Sequence, residues 1–280
     1  MTSKKSILIT GCSSGIGLCA ALTLQERGYL VVASVRKQED IERLRAKGLE
    51  NVIQLDLNSS DSIIAAVENT LKITEGNLFA LFNNGAYGQP GAVEDLSRDA
   101  LRRSFETNLF GTHELTTRLI PVFLKQNDAR IVQNSSILGL CAMPMRGAYN
   151  ATKFALEGLT DTLRLELKAT PIKVVLIEPG PILSDFRKNA VKALQANVDF
   201  SESRHQHLYE AALMRLQKSG ATSRFTLGPE AVVKKLILAL ESRSPSERYY
   251  VTTPTWIVAI LKRILGTNLL DRFAISAGRA

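Results

Sequence analysis

The sequence predicts an α/β fold, a doubly wound parallel sheet of seven strands with helices on both faces. Three observations predict it. Along 280 residues, short runs rich in Val, Ile or Leu alternate with longer amphipathic runs. Each short run is bounded by Gly, Pro, Asn or Asp, as strands buried on both faces are. A glycine-rich turn joins the first short run to the first amphipathic one, and strand–helix alternation at this spacing builds a parallel sheet.

The short runs place strands at 6–10, 30–34, 51–55, 79–83, 130–134, 173–177 and 249–251. The amphipathic runs between them predict helices at 16–27, 41–47, 60–74, 99–125, 148–168 and 229–242. No repeat or low-complexity linker interrupts the alternation, so residues 1–280 read as a single domain. A chain of this length buries roughly three-quarters of its unfolded surface. Two segments exceed the minimal plan. Residues 184–228 carry no strand signal, although 207–217 reads as helix, and connections that long are commonly functional lids. Residues 252–280 form a C-terminal extension.

Composition narrows the classes. With 45% hydrophobic and 22% charged residues the chain is neither disordered nor collagen-like. Cys12, Cys19 and Cys141 form no Cys-x-x-Cys pair, which excludes a disulfide framework or zinc-ligand set and makes a reducing cytoplasm the default. The formal charge, 35 − 27 = +8, suits an anionic cofactor, a membrane surface or nucleic acid, and no nucleic-acid recognition motif accompanies it. The basic start has only a short apolar run before Gly11, against about 7–15 residues for a secretory core, and reads as the first strand. The apolar stretch 256–261 is broken by Lys262 and Arg263, far short of the ~20 residues of a membrane span.

The turn Thr10-Gly11-Cys12-Ser13-Ser14-Gly15-Ile16-Gly17 lies between the first strand and first helix. Glycines there allow a tight turn and close approach of backbone N–H groups to a pyrophosphate at the helix N-terminus, and the serines add donors. The Gly-x-x-x-Gly-x-Gly spacing alone also fits a plain structural turn, and its place between the first strand and first helix favours the phosphate cradle of a Rossmann-type fold. After the second strand comes Arg36-Lys37 with no acid. Arg36 can fork onto a 2′-phosphate, with Lys37 as a second cation, which favours NADP(H) over NAD(H). A solvated basic turn is the plainer reading of the same residues.

Tyr149 and Lys153 open a predicted helix at i and i+4, on one face. A free tyrosine has a pKa of about 10, and a neighbouring ammonium favours the phenolate and lowers it. Ser136 stands just past the fifth strand, at the carboxyl edge where parallel sheets place their sites. There a serine hydroxyl can hold a carbonyl oxygen while tyrosine donates the proton. Any long helix can carry such a Tyr–Lys pair, so spacing alone also fits an ordinary amphipathic helix.

Thr10–Gly17, Asp56, Asn83-Asn84, Asn108, Ser135-Ser136, Tyr149–Lys153 and Pro179-Gly180 stand in the order and spacing of the short-chain dehydrogenase/reductase family, which the chain resembles over roughly residues 5–251. The resemblance implies that Tyr149 is the general acid/base. It makes Lys153 the group that lowers the tyrosine pKa and holds the nicotinamide ribose, and Ser136 the one that polarises the substrate oxygen. Asn108 would complete a proton relay by holding a helix carbonyl and water. Ser135 rivals Ser136 for the serine role, and the spacing to Tyr149 favours Ser136. Gly11, Ser13, Ser14, Gly15, Ile16 and Gly17 would then hold the cofactor phosphates. Asp56 and Leu57 would lie by adenine and Asn83 beside its ribose, with Pro179, Gly180, Ile182 and Ser184 around the nicotinamide. The Gly-Cys-Ser-Ser-Gly-Ile-Gly turn, Arg36 and the long C-terminal region are most similar to the branch of retinol, estradiol and bacterial NADP-dependent aldehyde enzymes. That similarity implies an apolar aldehyde or ketone substrate and a homodimer. The sequence departs from the family at Gly85-Ala86, whose order is exchanged, at Ser184 for threonine, and at Ser14 for a basic residue.

The remaining signals have plainer readings. His113 reads as packing or a partner hydrogen bond, and His205 with His207 as no convincing metal site. Leu156, Leu159, Leu163 and Leu167 read as one core stripe, with Phe154 and Leu165 on another face. Trp256, Ile260 and Ile264 fall at helical spacing with Lys262 and Arg263 opposite, which fits a lid, a peripheral membrane contact or a helix packed on its own domain. A non-catalytic NADP(H)-binding redox sensor is the alternative of a different class, although pure binding does not require Ser136, Tyr149, Lys153 and Asn108 together.

Overall fold

The computed structural model describes residues 4–217, 220–221 and 223–279. Positions 1–3, 218, 219, 222 and 280, which belong to the domain, insert and extension expected above, lie outside the described residues. Strands β1 (Ser6–Ile9), β2 (Leu30–Val35), β3 (Asn51–Gln54), β4 (Ala80–Asn83), β5 (Ala129–Asn134), β6 (Ile172–Glu178) and β7 (Arg248–Tyr250) form one parallel sheet in the order β3-β2-β1-β4-β5-β6-β7. The order reverses between β1 and β4, and a crevice opens above the strand ends at such a switch point.

The apolar runs are strands because alternate residues feed two different cores. Ile7 and Ile9 of β1, Val31 and Ala33 of β2, and Phe82 of β4 pack in one layer. Leu8, Val32 and Leu81 point into the other. Helices α1 (Gly15–Glu26), α2 (Glu39–Arg45) and α9 (Glu230–Glu241) cover the first face through Leu24, Leu44 and Leu236. Helices α3 (Ser60–Ile73) and α5 (Gly111–Phe123) cover the second through Ile63, Leu115 and Phe123. Ser59 caps α3 by accepting the Ser62 N–H at 3.2 Å.

The single helix expected at 99–125 is interrupted. It runs as α4 (Arg98–Phe105), a π-helical turn at Glu106–Phe110, and α5. The extra residue in that turn buries Asn108 at 1% exposure, and π-turns of this kind recur at functional sites. Gly111 makes the close approach feasible, because a Cβ there would stand 1.9 Å from the Leu57 carbonyl oxygen.

Helix α6 (Gly147–Glu166) buries Thr152, Lys153, Leu156, Glu157 and Thr160, whereas Leu159 is 44% exposed. The leucine stripe read from the sequence is therefore corrected at Leu159, which lies outside the 156–160–163–167 line of the helix. His113, read as packing or a partner hydrogen bond, is exposed on α5.

The two extra segments form a roof over the strand ends. The insert folds into α7 (Phe186–Asn197), unread in the sequence, and α8 (Gln206–Gln217). Its neck is tied where Leu183 N–H donates to the Leu227 carbonyl at 2.8 Å and Leu227 N–H to the Pro181 carbonyl at 3.2 Å. Tyr209 of α8 is fully buried, stacks on Phe200 at 4.5 Å and donates to Asp95 at 2.8 Å. His205 faces Glu94 at 2.8 Å, and among the described residues no group of acids, histidines and cysteines could hold a metal ion.

The extension forms α10 (Thr253–Ile264) and α11 (Thr267–Arg279). α10 buries Thr255, Val258 and Ala259, while Trp256, Ile260 and Ile264 are 52%, 53% and 69% exposed. Of the readings of this stripe, packing on its own domain does not hold: the stripe points outward, because the inner side uses small residues for close approach. Lys262 lies over the Phe154 ring at 5.0 Å. Among the described residues, no helix is long and apolar enough to cross a membrane.

Candidate active site

A cavity of about 870 Å³ runs along the carboxyl ends of β1, β4, β5 and β6 beneath the roof. At one end is the glycine-rich turn. Gly11 has φ +73°, and a Cβ there would stand 2.8 Å from the Gly85 Cα. A Cβ on Gly17 would stand 2.2 Å from the Gly11 carbonyl oxygen, so only glycine lets α1 start this close to the turn. Ser14 precedes α1 without capping it through its side chain. The first N–H groups of that helix therefore remain available to an anion.

A hydrogen-bonded line connects this turn to the other end of the cavity. The Thr10 hydroxyl accepts the N–H groups of Asn84 at 2.9 Å and Gly85 at 2.7 Å. The Asn84 amide donates to the Thr10 carbonyl at 2.9 Å, and Asn134 donates to Asn84 at 2.9 Å. The Lys153 ammonium then donates to the Asn134 carbonyl at 2.7 Å. The positioning roles of Asn84 and Asn134 escaped sequence reasoning, since they rest on contacts 50 residues or more apart, within the sheet.

Tyr149 and Lys153 occupy the first turns of α6, where the Lys153 nitrogen lies 5.7 Å from the Tyr149 ring centre. Tyr149 and Ser136 line the cavity together; the Ser136 hydroxyl favours the Tyr149 phenolate and accepts the Leu138 N–H at 3.1 Å. Ser135 is the serine that points elsewhere. Its buried hydroxyl has no partner among the described residues and stands against Gly139. The edge of Phe186, from α7, packs on the Tyr149 ring at 5.3 Å.

Burial pushes the Tyr149 phenol up to about 12, opposed by the Ser136 hydroxyl and the Arg146 charge. Lys153 is itself buried and its ammonium is turned to the Asn134 carbonyl. Burial also brings Lys153 down to about 8, against the favourable charge of Glu157. Glu157 is held in turn by Arg248, which binds Glu178 as well and reaches Asp161 at 2.6 Å.

Asn108 is corrected in its partner. Its amide takes the Tyr87 N–H at 3.0 Å and donates to the Tyr87 carbonyl at 2.9 Å, with Thr152 at 3.3 Å. It therefore fixes the loop after β4, where the sequence reading had it hold a helix carbonyl. Gly11, Ser13, Ser14, Gly15 and Ile16 line the cavity, as do Pro179, Gly180, Ile182 and Ser184. The others expected at the cofactor do not line it. Gly17 lies behind the turn, Leu57 is buried under Gly85, and the Asn83 side chain donates to Thr116 at 2.8 Å on the α5 side. Asp56 accepts the Asn58 N–H at 3.0 Å at the end of β3.

Arg36 is exposed just past β2, two residues beyond Ser34, whose carbonyl accepts the Cys12 N–H of the turn at 2.8 Å. Lys37 is paired with Glu39 at 2.8 Å, which weakens its part as second cation. Arg43, unread in the sequence, donates from α2 to the Ser13 carbonyl at 2.8 Å and braces the turn.

The sequence model of the short chain dehydrogenase family matches residues 5–195. An oxidoreductase of Escherichia coli, YbbO, is 42% identical over 269 residues, 96% of this chain and 93% of that protein. The short-chain type dehydrogenase/reductase VdlC of Helicobacter pylori is 31% identical, over 94% of each chain. Among solved structures, a short-chain dehydrogenase/reductase of Burkholderia phymatum in complex with NAD superposes with a TM-score of 0.79 at 26% identity, covering 96% of this chain and 95% of that one. A parallel sheet whose switch-point crevice joins an anion-binding turn to a Ser–Tyr–Lys group, together with this likeness over nearly its whole length, makes the chain a member of the short-chain dehydrogenase/reductase family of oxidoreductases.

Proposed function

We propose that the protein is an NADP(H)-dependent oxidoreductase that interconverts an apolar aldehyde or ketone and its alcohol, with Tyr149 as general acid/base. The carrying observation is that Ser136, Tyr149 and Lys153 line the same cavity that the uncapped glycine-rich turn opens into. The residues present fit a dinucleotide, with Gly11, Ser13 to Ile16 and the α1 N-terminus for its phosphates, Lys153 for a ribose, and Pro179 to Ile182 with Ser184 for its reactive ring. When bound, that cofactor gives or takes the hydride. Exposed Arg36 and the absence of an acid after β2 favour a 2′-phosphate.

Ser136 would orient the substrate oxygen and Tyr149 would transfer the proton to it. A phenol held near 12 stays protonated at neutral pH and so suits the acid role in carbonyl reduction. Lys153, near 8, remains mostly charged at pH 7 and can hold the ribose. Leu138, Met143, Leu216, Phe225 and Ile257 give the cavity its apolar wall. We further place residues 1–280 in one domain and pair two copies through α5 and α6, the latter exposing Phe154, Leu159 and Leu165.

NADPH and NADH oxidation by the purified protein, followed against aldehydes and ketones of graded apolar length, tests this. NADPH-dependent turnover that rises with chain length is the expected result. Preference for NADH would overturn the role of Arg36. Cofactor binding without turnover of any carbonyl would favour the sensor.

A further inference from the structure

The catalytic cavity is cationic beyond what the proton-transfer chemistry uses. Among the described residues lining it there is no aspartate or glutamate, while Arg146, Arg187 and Arg215 stand in its wall besides Lys153. Arg146 has the clearest position. It immediately precedes α6, one turn from Tyr149, and is half-buried. Its guanidinium makes no hydrogen bond or ion pair with any described residue, although the same structure pairs Arg27, Arg43, Arg204 and Arg248 with carboxylates. Met145, just before it, has φ +62°, a left-handed conformation that side-chain-bearing residues seldom adopt. The chain thus enters α6 through a strained residue, and Arg146 follows it into the cavity wall.

A half-buried guanidinium with no hydrogen-bond or ion-pair partner among the described residues carries a desolvation cost that an incoming anion can relieve. Burial, and then the charge of Arg215, bring its pKa down to about 10, so the two cations feel each other across the site. The dinucleotide phosphates do not account for this pair, because the turn that would hold them lies at Gly11 to Ile16 and Arg146 stands beside Tyr149. The same cavity has apolar wall from Leu138, Met143, Leu216 and Phe225. Such a surface matches a molecule with an apolar chain and one fixed negative charge.

We propose that the substrate is an amphipathic carbonyl compound carrying an acidic group within a few bonds of the carbonyl, and that Arg146, with Arg215 reinforcing the field, binds that group. Arg146 is then a specificity-determining residue, and the inference rests on the oxidoreductase reading above. Arginine suits the task because its planar fork meets a carboxylate, sulfonate or phosphate in two bonds.

The test compares 4-oxodecanoate with its methyl ester, which differ in the charge and little in apolar length, using NADPH and the full chain. Wild type should show a kcat/KM ratio of acid to ester of about tenfold or more, since a hydrogen bond to a charged group contributes on that scale. In Arg146→Gln the ratio should fall to about one, mainly through KM for the acid, and in Arg146→Lys most of it should remain. Reading the ratio within each variant removes any general effect of the substitution on folding or on Tyr149. A wild-type ratio near one, or a ratio unchanged in Arg146→Gln, would overturn the proposal while leaving the oxidoreductase reading intact. If neither compound turns over, that reading fails separately. Calorimetric binding of decanoate against decanol then decides the anion site. Tighter decanoate binding that disappears in Arg146→Gln supports it, and equal binding of the two overturns it.

Discussion

The floor of the cavity and its roof are built on different principles. The floor, from β1, β4, β5 and α6, is tied by a hydrogen-bonded line from Thr10, just past β1, through Asn84, just past β4, and Asn134 of β5 to Lys153 of α6. The roof, from α7, α8, α10 and α11, touches the site mainly through apolar side chains and arginines, and its outer face leaves Trp256, Ile260 and Ile264 in solvent. The contrast teaches that the reaction resides in a rigid frame and the choice of substrate in an added cover. Changes to the proton-transferring groups of the floor should therefore alter kcat, and changes in the roof, or to Arg146 at the head of α6, should alter KM.

Tyr149→Phe probes the contrast most severely. It removes one oxygen and keeps the Phe186 contact, so turnover should fall about 10²–10⁴-fold with NADPH affinity, measured by fluorescence titration, little changed. Gly17→Ala should come next. Its methyl would meet the Gly11 carbonyl, and the resulting shift should cost about 1–3 kcal/mol in a denaturant melt while raising KM for the cofactor. Phe186→Ala takes a roof residue off Tyr149. It should raise KM for apolar carbonyls about fivefold, on the order of 1 kcal/mol and less than full burial of a phenylalanine would give, with kcat nearly preserved. Ile264→Ser, on the outer face, should leave stability within about 0.5 kcal/mol.

The pH profiles sharpen the same comparison. Tyr149 is held near 12, so its acid form is present throughout the neutral range and carbonyl reduction should be flat there. It should decline above about 8, where Lys153 loses its proton. Alcohol oxidation needs the phenolate, so initial rates should instead rise as pH increases from 7 to 9. A reduction rate that climbs over that interval would contradict the protonation states assigned to the floor.

The floor was also the legible part of the sequence. Its strands carry continuous Val, Ile and Leu because both faces are buried, and Tyr149, Lys153, Ser136 and the glycine turn keep a spacing fixed by the sheet edge. What stayed hidden depends on contacts between distant segments. The π-turn at Glu106–Phe110 exists because Asn108 reaches Tyr87 and Gly111 meets Leu57, and no local pattern encodes either. The raised Tyr149 pKa follows from burial under Phe186 and the rest of the roof, which the Tyr-x-x-x-Lys spacing does not contain. α7 was unread because its few apolar positions, Phe186, Ala190 and Leu194, sit among lysines and polar residues. On α10, small Thr255 and Ala259 form the packing face and large residues the outer one, which inverts the usual reading of hydrophobic spacing.

The most direct measurement is NADPH consumption with decanal by wild type and Tyr149→Phe, with NADPH binding measured on the same two samples. The account predicts equal binding, with turnover confined to wild type. Equal turnover by both would show that Tyr149 does not move the proton, and the mechanism built on the Ser136–Tyr149 pair would have to be abandoned.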